Sequence, residues 1–529
     1  MKKPVIQFTE FGFQYKAQKN PTLTGINLTI YEGEKALILG ASGSGKTTLA
    51  NCINGLIPFS YPGRITGSCR VRGRETRELS VFELSRDVGT VLQDSNAQFV
   101  GLSVGEDMAF SLENDCVNRK TMHERVRRNA GAVDMEAFLA AQPFHLSGGQ
   151  KQKAALGGVL GEETRIFIFD EPLASLDPKT GAAAIDLIDR IVANPGGERR
   201  TAIIIEHRLE DVLYRPLDRI ILMDKGRVAA DLSPAEMLQS PLLAEKGIRP
   251  PLYIKALADS GCDLSQIPSL ADIRTLQLGP AEGEKLRRFF LPPGSNFAGG
   301  RVPEGGGGAS SPAENPALRV SGVSFSYEPE GGNWALLGVD FSINPGERVA
   351  FIGKNGAGKS TLAKLICGIC RPQRGVLYLG GEDYRRLTVK EIGERAGYVM
   401  QDPDQMIVKD IIKDEVELAL RLRKTGETLR EERSRKALEA CELYRLRNWP
   451  ISAVSYGQKK RVTVASVLAL EPEILILDEP TAGQDFRHYA EIMAFINRLH
   501  NRQTKTIIFI THDMHLAIEN TDRALVFAG

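Results

Sequence analysis

The 529-residue chain carries one set of short motifs twice, in the same order both times. A glycine-rich run holding Gly40, Ser42, Gly43, Gly45, Lys46, Thr47 and Thr48 returns as Gly353, Asn355, Gly356, Gly358, Lys359, Ser360 and Thr361. Leu146-Ser147-Gly148-Gly149-Gln150 returns as Val454-Ser455-Tyr456-Gly457-Gln458, and Asp170-Glu171 returns as Asp478-Glu479. Lys359 follows Lys46 by 313 residues and Asp478 follows Asp170 by 308. Offsets that steady across a whole domain mean a duplication. The chain is therefore expected to fold as two similar domains, in keeping with its length.

Each glycine-rich run follows an apolar stretch, Ala36–Leu39 or Val349–Ile352, and precedes a helical pattern. Strand, G-x-x-x-x-G-K-[ST] loop and helix in that order form a phosphate-binding loop. Glycines let backbone N–H groups curl round phosphate oxygens, and the helix turns its positive end to them. Lys46 and Lys359 are expected at the β- and γ-phosphates of a bound nucleotide. Thr47 and Ser360 are expected to ligate Mg2+ through their hydroxyls. Two further apolar runs end in Asp170-Glu171 and Asp478-Glu479. Strands this apolar are buried on both faces, and ligands bind beyond their carboxyl ends. The aspartates are placed to hold Mg2+ and the glutamates to polarise the attacking water. His207 and His512, each closing another apolar run, are candidates for the γ-phosphate and that water.

Leu146–Gln150 between the phosphate loop and the acidic strand resembles the signature motif of ABC (ATP-binding cassette) ATPases. Ser147-Gly148-Gly149 at a helix start offers a hydroxyl, bare amides and a positive dipole end. The resemblance covers roughly 440 residues and implies an α/β chain of two P-loop NTPase domains. Each would have a RecA-like parallel-sheet core, an antiparallel β subdomain and a helical signature subdomain. It further implies that Tyr15 and Tyr327 stack on adenine, and that Gln93 and Gln401 touch Mg2+ and sense a membrane partner. Ser175 to Asp177 and Ala482 to Asp485 would be loops that cross the dimer interface. The two halves would form an intramolecular pseudo-dimer. One ATP would lie between Lys359 and Ser147, Gly148, Gly149 and Gln150, the other between Lys46 and Ser455, Gly457 and Gln458. Val454 and Tyr456 depart from the pattern, so the two sites are expected to hydrolyse ATP at unequal rates.

The residues after each loop glutamine, Asp94 to Glu113 and Asp402 to Val416, resemble the ATPases of energy-coupling factor (ECF) importers for vitamins, nickel or cobalt. That implies two partners, a transmembrane coupling protein and a substrate-binding membrane protein, with this chain peripheral on the cytoplasmic face of the membrane. The substrate stays open, thiamine-related compounds included. A fused sugar-importer ATPase and a soluble ABC protein acting on ribosomes or nucleic acid are the alternatives. Intact Glu479 and His512 speak against the first. A net charge of +1, with no basic excess, speaks against the second.

The expected organisation is a first nucleotide-binding domain over 1–230, a small helical extension over 231–292, a Gly- and Pro-rich linker over 293–317 and a second nucleotide-binding domain over 318–529. The first copy continues past its Asp218–Met223 strand, whereas the second stops at the corresponding one, which leaves open a truncated chain or a copy without an extension. No leader is read at the N-terminus, and no apolar run approaches the roughly 20 residues a membrane helix needs. Seven irregularly spaced cysteines point to a reducing compartment. Cys367 and Cys370, a C-x-x-C without a second pair, are expected as core residues on one face of a helix.

Overall fold

A computed structural model describes residues 3–92, 98–160, 164–173, 176–194, 197–290, 315–328, 332–481, 486–503 and 505–528. The chain divides into two compact units, one built on Met1–Asn296 and the other on Phe297–Gln484 together with His488–Gly529.

In the first unit the strands are β1 (Pro4–Tyr15), β2 (Leu23–Tyr31), β3 (Lys35–Leu39), β4 (Gly63–Val71), β5 (Arg74–Glu75), β6 (Val88–Val91), β7 (Ile166–Asp170), β8 (Thr201–Ile205), β9 (Arg219–Asp224) and β10 (Arg227–Leu232). They make an antiparallel sheet in the order β2-β1-β4-β5 and a second sheet in the order β10-β9-β3-β8-β7-β6. From β9 to β6 every pairing of the second sheet is parallel, and β10 runs antiparallel at its edge. The second unit repeats the plan with β11 (Leu318–Ser326), β12 (Trp334–Ile343), β13 (Arg348–Gly353), β14 (Arg374–Leu379), β15 (Glu382–Asp383), β16 (Ala396–Val399), β17 (Ile474–Asp478), β18 (Thr506–Ile510) and β19 (Arg523–Phe527). Its antiparallel sheet runs β12-β11-β14-β15, and its parallel sheet β16-β17-β18-β13-β19.

The apolar runs become central strands because both of their faces are covered. In β7, Ile166 and Ile168 pack with Phe8 and Leu28 of the antiparallel sheet, while Phe167 and Phe169 face helices on the other side. All five residues of β7 are buried, and so are those of β17. Each such Ile or Phe taken from water contributes about 1.5–3 kcal/mol before entropy is counted. A sheet clad on both sides leaves its carboxyl edge as the face where loops gather.

The helix starts are written locally. Ser80, Ser103, Ser147, Ser233, Thr388 and Ser455 each close a capping box with the Glu or Gln three residues on. After β10 come helices at Pro234–Gln239, Leu242–Glu245, Leu252–Asp259 and Pro280–Phe290. Met237, Leu238, Leu243, Ile254 and Leu257 join the core on the Phe167 side of the first sheet. Lys246 Nζ to Asp224 at 2.8 Å, and the Leu252 amide to Glu210 at 3.1 Å, tie these helices to the first unit.

Cys367 ends the helix Lys359–Ile366 as its C-cap, and Cys370 lies beyond it, so the pair does not share a helix face. Cys367 belongs to the core, and burial pushes its thiol up to about 12. All seven cysteines are free.

Candidate functional site

Both phosphate loops close on their own lysine. Lys46 Nζ donates to the carbonyls of Gly40 (2.8 Å) and Ala41 (3.0 Å), and Lys359 Nζ to those of Gly353 and Lys354 (2.8 Å each). The loop folds back over the ammonium and holds a buried charge at the start of the helix. Gly45 and Gly358 are the N-caps of the helices Lys46–Ile53 and Lys359–Ile366, with φ of 101° and 92°. A side chain at Gly358 would meet the left-handed backbone and the Ala335 carbonyl, 2.5 Å from its Cβ.

The parallel sheet delivers the carboxylates to these loops. Thr47 Oγ1 donates to Asp170 Oδ1 at 3.4 Å, and Ser360 Oγ donates to Asp478 Oδ2 at 3.1 Å. Burial pushes both aspartates above the ordinary carboxylate range, while the hydroxyls pull them back. A hydroxyl beside a carboxylate whose charge is disfavoured by burial is a donor set that a hard cation such as Mg2+ fits, with phosphate and water completing the shell. Three-ligand clusters of His, Cys, Asp or Glu do not occur among the described residues, so the protein would supply only part of such a shell.

Glu171 and Glu479 follow the aspartates with φ of 48° and 44°, in the left-handed region. Their amides donate to the ends of the neighbouring strands, Glu171 to Ile205 and Glu479 to Ile510, each at 2.9 Å. That backbone costs about 1–3 kcal/mol and is held by the surrounding sheet, an arrangement that clusters at functional sites. His512 Nδ1 lies 2.7 Å from Glu479 Oε1; His207 Nδ1 lies 3.9 Å from Glu171 Oε1. Burial, countered by His207 and reinforced by the nearby Glu206, pushes the Glu171 carboxyl up.

Tyr15 and Tyr327 sit alike. Their hydroxyls lie 3.1 Å from Thr48 Oγ1 and 3.2 Å from Thr361 Oγ1, which fixes each ring beside its phosphate loop. Ser147 and Ser455 cap the helices Gly148–Val159 and Tyr456–Leu468. Gln150 and Gln458 return their side-chain oxygens to the serine amides at 2.9 and 3.0 Å, so each glutamine holds the serine in place. These hydrogen bonds stay within their own turn and do not bring the signature serines to the phosphate loop of the same unit. Gln401 is exposed, two residues past β16. Gln93, Ser175 and Ala482 to Asp485 lie outside the described residues.

A family model described as "ABC transporter" matches residues 23–174 and 336–482, once in each unit. A putative ABC transporter ATP-binding protein of Clostridium perfringens is 50% identical over 528 residues, which is 100% of this chain and 90% of that protein. The chain belongs to the ABC transporter ATP-binding proteins. A relative of the same description from Enterococcus faecalis is 49% identical over 99% of this chain and 89% of its own length. A second family model, "ATP-binding cassette cobalt transporter", matches residues 240–293. Among solved structures, cbiO1 from Clostridium perfringens, described as part of the ABC transporter complex cbiONQ, is 34% identical over 40% of this chain and 85% of its own, with a TM-score of 0.38. The two units are thus ABC ATPase domains, which bind and hydrolyse ATP, and the chain is an ATP-binding subunit of an ABC transporter. No helix among the described residues is long and apolar enough to cross a membrane.

Within this ABC ATPase three residues near the carboxylates lie outside every motif. Glu206, fully buried, accepts from the amides of Leu173 (2.9 Å), His207 (3.1 Å) and Arg208 (3.3 Å), while Arg208 Nη1 donates to the Leu173 carbonyl at 2.7 Å. The two side chains grip both ends of one residue in the loop leaving Glu171. The second cassette has Thr511 where the first has Glu206. Lys460, also buried, donates to the carbonyls of Glu479 (3.1 Å) and Pro480 (2.9 Å), and burial pushes its ammonium down to about 8. Gln152 takes the matching place and donates to the Pro172 carbonyl. Tyr398 donates to Asp478 Oδ2. The signal that could have found all three is a difference between the aligned repeats at each position.

Proposed function

We propose that this chain is the ATPase of an ECF-type importer, peripheral on the cytoplasmic face of the membrane, that drives uptake of a transition-metal ion or a vitamin. The carrying observation is the match of residues 240–293, the helical extension of the first cassette, to a family described as an ATP-binding cassette cobalt transporter. In this reading Lys46 and Lys359 hold phosphates; Thr47, Asp170 and Gln93 would hold one Mg2+, and Ser360, Asp478 and Gln401 the other. Glu171 and Glu479 take a proton from the attacking water, each steadied by His207 or His512.

The segment past each loop glutamine is where a membrane partner would press. Val100 and Val408, at matching places, are 64% and 72% exposed. Asp107 accepts from the Val100 amide at 2.8 Å, and Glu415 from the Val408 amide at 2.8 Å, so both valines stand on backbone anchored to a helix. The recurrence of an exposed valine on a braced segment at matching places in both cassettes supports a docking contact on each.

The test is affinity purification of the tagged chain from its native membranes in mild detergent, with mass spectrometry. A small coupling protein and a substrate-binding membrane protein should come with it, and cobalt, nickel or thiamine uptake should fall when the chain is deleted. Recovery of ribosomal proteins, or of no membrane protein, would overturn the importer reading and leave the ATPase.

A further inference from the structure

The two cassettes differ at the third residue of the strand that precedes the loop glutamine. Thr90 pairs with Ile168 in β6–β7, and Tyr398 pairs with Ile476 in β16–β17, so the two positions match in register. Thr90 Oγ1 accepts from Asn54 Nδ2 at 3.3 Å. The residue matching Asn54 is Cys367, which offers the strand no such amide. Tyr398, longer by a ring, instead extends its hydroxyl to Asp478 Oδ2, the oxygen that also accepts from Ser360 at 3.1 Å. Asp170 receives Thr47 at 3.4 Å, and its neighbour on the adjacent strand is bonded elsewhere.

We propose that Tyr398 is a positioning residue for the metal site of the second cassette, one that makes the two sites inequivalent. Two hydroxyls converge on one oxygen of Asp478 and leave Oδ1 outside both bonds. A carboxylate gripped in this way keeps one orientation, and its second oxygen is directed without reorganisation. Hydrogen bonds to a ligating carboxylate are worth about 10–100-fold in metal affinity. The tyrosine also stands three residues before Gln401, on the strand leading straight into that loop. The inference rests on the reading of Asp478 as a metal-holding residue.

The experiment is a Mn2+ titration of the full-length chain with a non-hydrolysable ATP analogue bound, followed by electron paramagnetic resonance. Wild type should show two classes of site. Tyr398→Phe should weaken one class by about tenfold and leave the other unchanged. Nucleotide affinity in EDTA and the thermal midpoint in EDTA should stay at wild-type values, and the Mg2+ concentration for half-maximal turnover should rise more than kcat falls. Asp478→Asn should remove the same class altogether. Wild-type affinity in both classes for Tyr398→Phe, with a class lost in Asp478→Asn, overturns the tyrosine inference and keeps the metal-site reading. Wild-type behaviour of both variants overturns that reading as well. A lowered midpoint in EDTA for Tyr398→Phe would assign the tyrosine to packing and overturn the inference.

Discussion

His512 Nδ1 stands 2.7 Å from Glu479 Oε1, within hydrogen-bond reach of the carboxylate that follows Asp478. The matching atoms of His207 and Glu171 are 3.9 Å apart, with the buried carboxylate of Glu206 at the same distance from the imidazole. The same two residues thus occur in both cassettes, and their environments separate them.

Unequal turnover is the expected consequence. Glu479→Gln is expected to lower ATP hydrolysis more than Glu171→Gln, each single variant keeping measurable activity and the double variant keeping none. A general base contributes about 10²–10⁴-fold at its own site. Phosphate release under single-turnover conditions separates the outcomes. Complete loss in both single variants would mean strict coupling, and no loss in one would mean a silent site.

Lys460 makes stability depend on pH in a defined window. Its ordinary pKa is 10.5 and burial pushes it down to about 8 in the folded chain. Between those values the unfolded chain binds a proton that the folded chain does not, so this residue's contribution rises with pH, by at most about 3 kcal/mol. The thermal midpoint of wild type relative to Lys460→Gln is expected to climb from pH 7.5 to pH 10. Glutamine fits, since Gln152 bonds the equivalent carbonyl in the first cassette. A flat difference would show that Lys460 keeps its proton throughout.

Two glycines of one loop should behave differently. Gly358→Ala places Cβ 2.5 Å from a backbone oxygen at φ 92°, and is expected to abolish ATP binding at that loop. Gly356→Ala at φ 82° meets nothing within 4 Å and pays only for its backbone, about 1 kcal/mol. Calorimetric ATP titration of both variants checks the ranking, and equal losses would contradict it.

Val100→Glu and Val408→Glu test the proposed contact with the membrane partner. Both side chains are largely in water already, so the thermal midpoint should not move. Recovery of membrane partners in pull-down should drop, most in the double variant. Undiminished recovery would place the contact elsewhere.

Much of the architecture was legible because short-range chemistry dictates it. The glycines of a phosphate loop, an apolar run closed by Asp-Glu and a serine three residues ahead of a glutamine are each local, and each folded as its chemistry requires. The C-x-x-C pair shows the limit at close range. Cys367 and Cys370 read as one helix face, but the helix ends at Ile366 and the chain turns between them.

The sequence by itself determined that this chain has two ATP-binding units, and which lysines, hydroxyl residues and carboxylates they carry, since these sit at set spacings along the chain. Only the tertiary structure decided which further side chains reach the carboxylates and loops of each site. Tyr398 lies 80 residues from Asp478, Lys460 lies 19 from Glu479 and Glu206 lies 33 from Leu173. No spacing rule links such pairs. They meet because parallel strands bring distant carboxyl ends to one edge, where a single tyrosine, lysine or glutamate reaches a carboxylate or a backbone group that its counterpart in the other repeat meets differently.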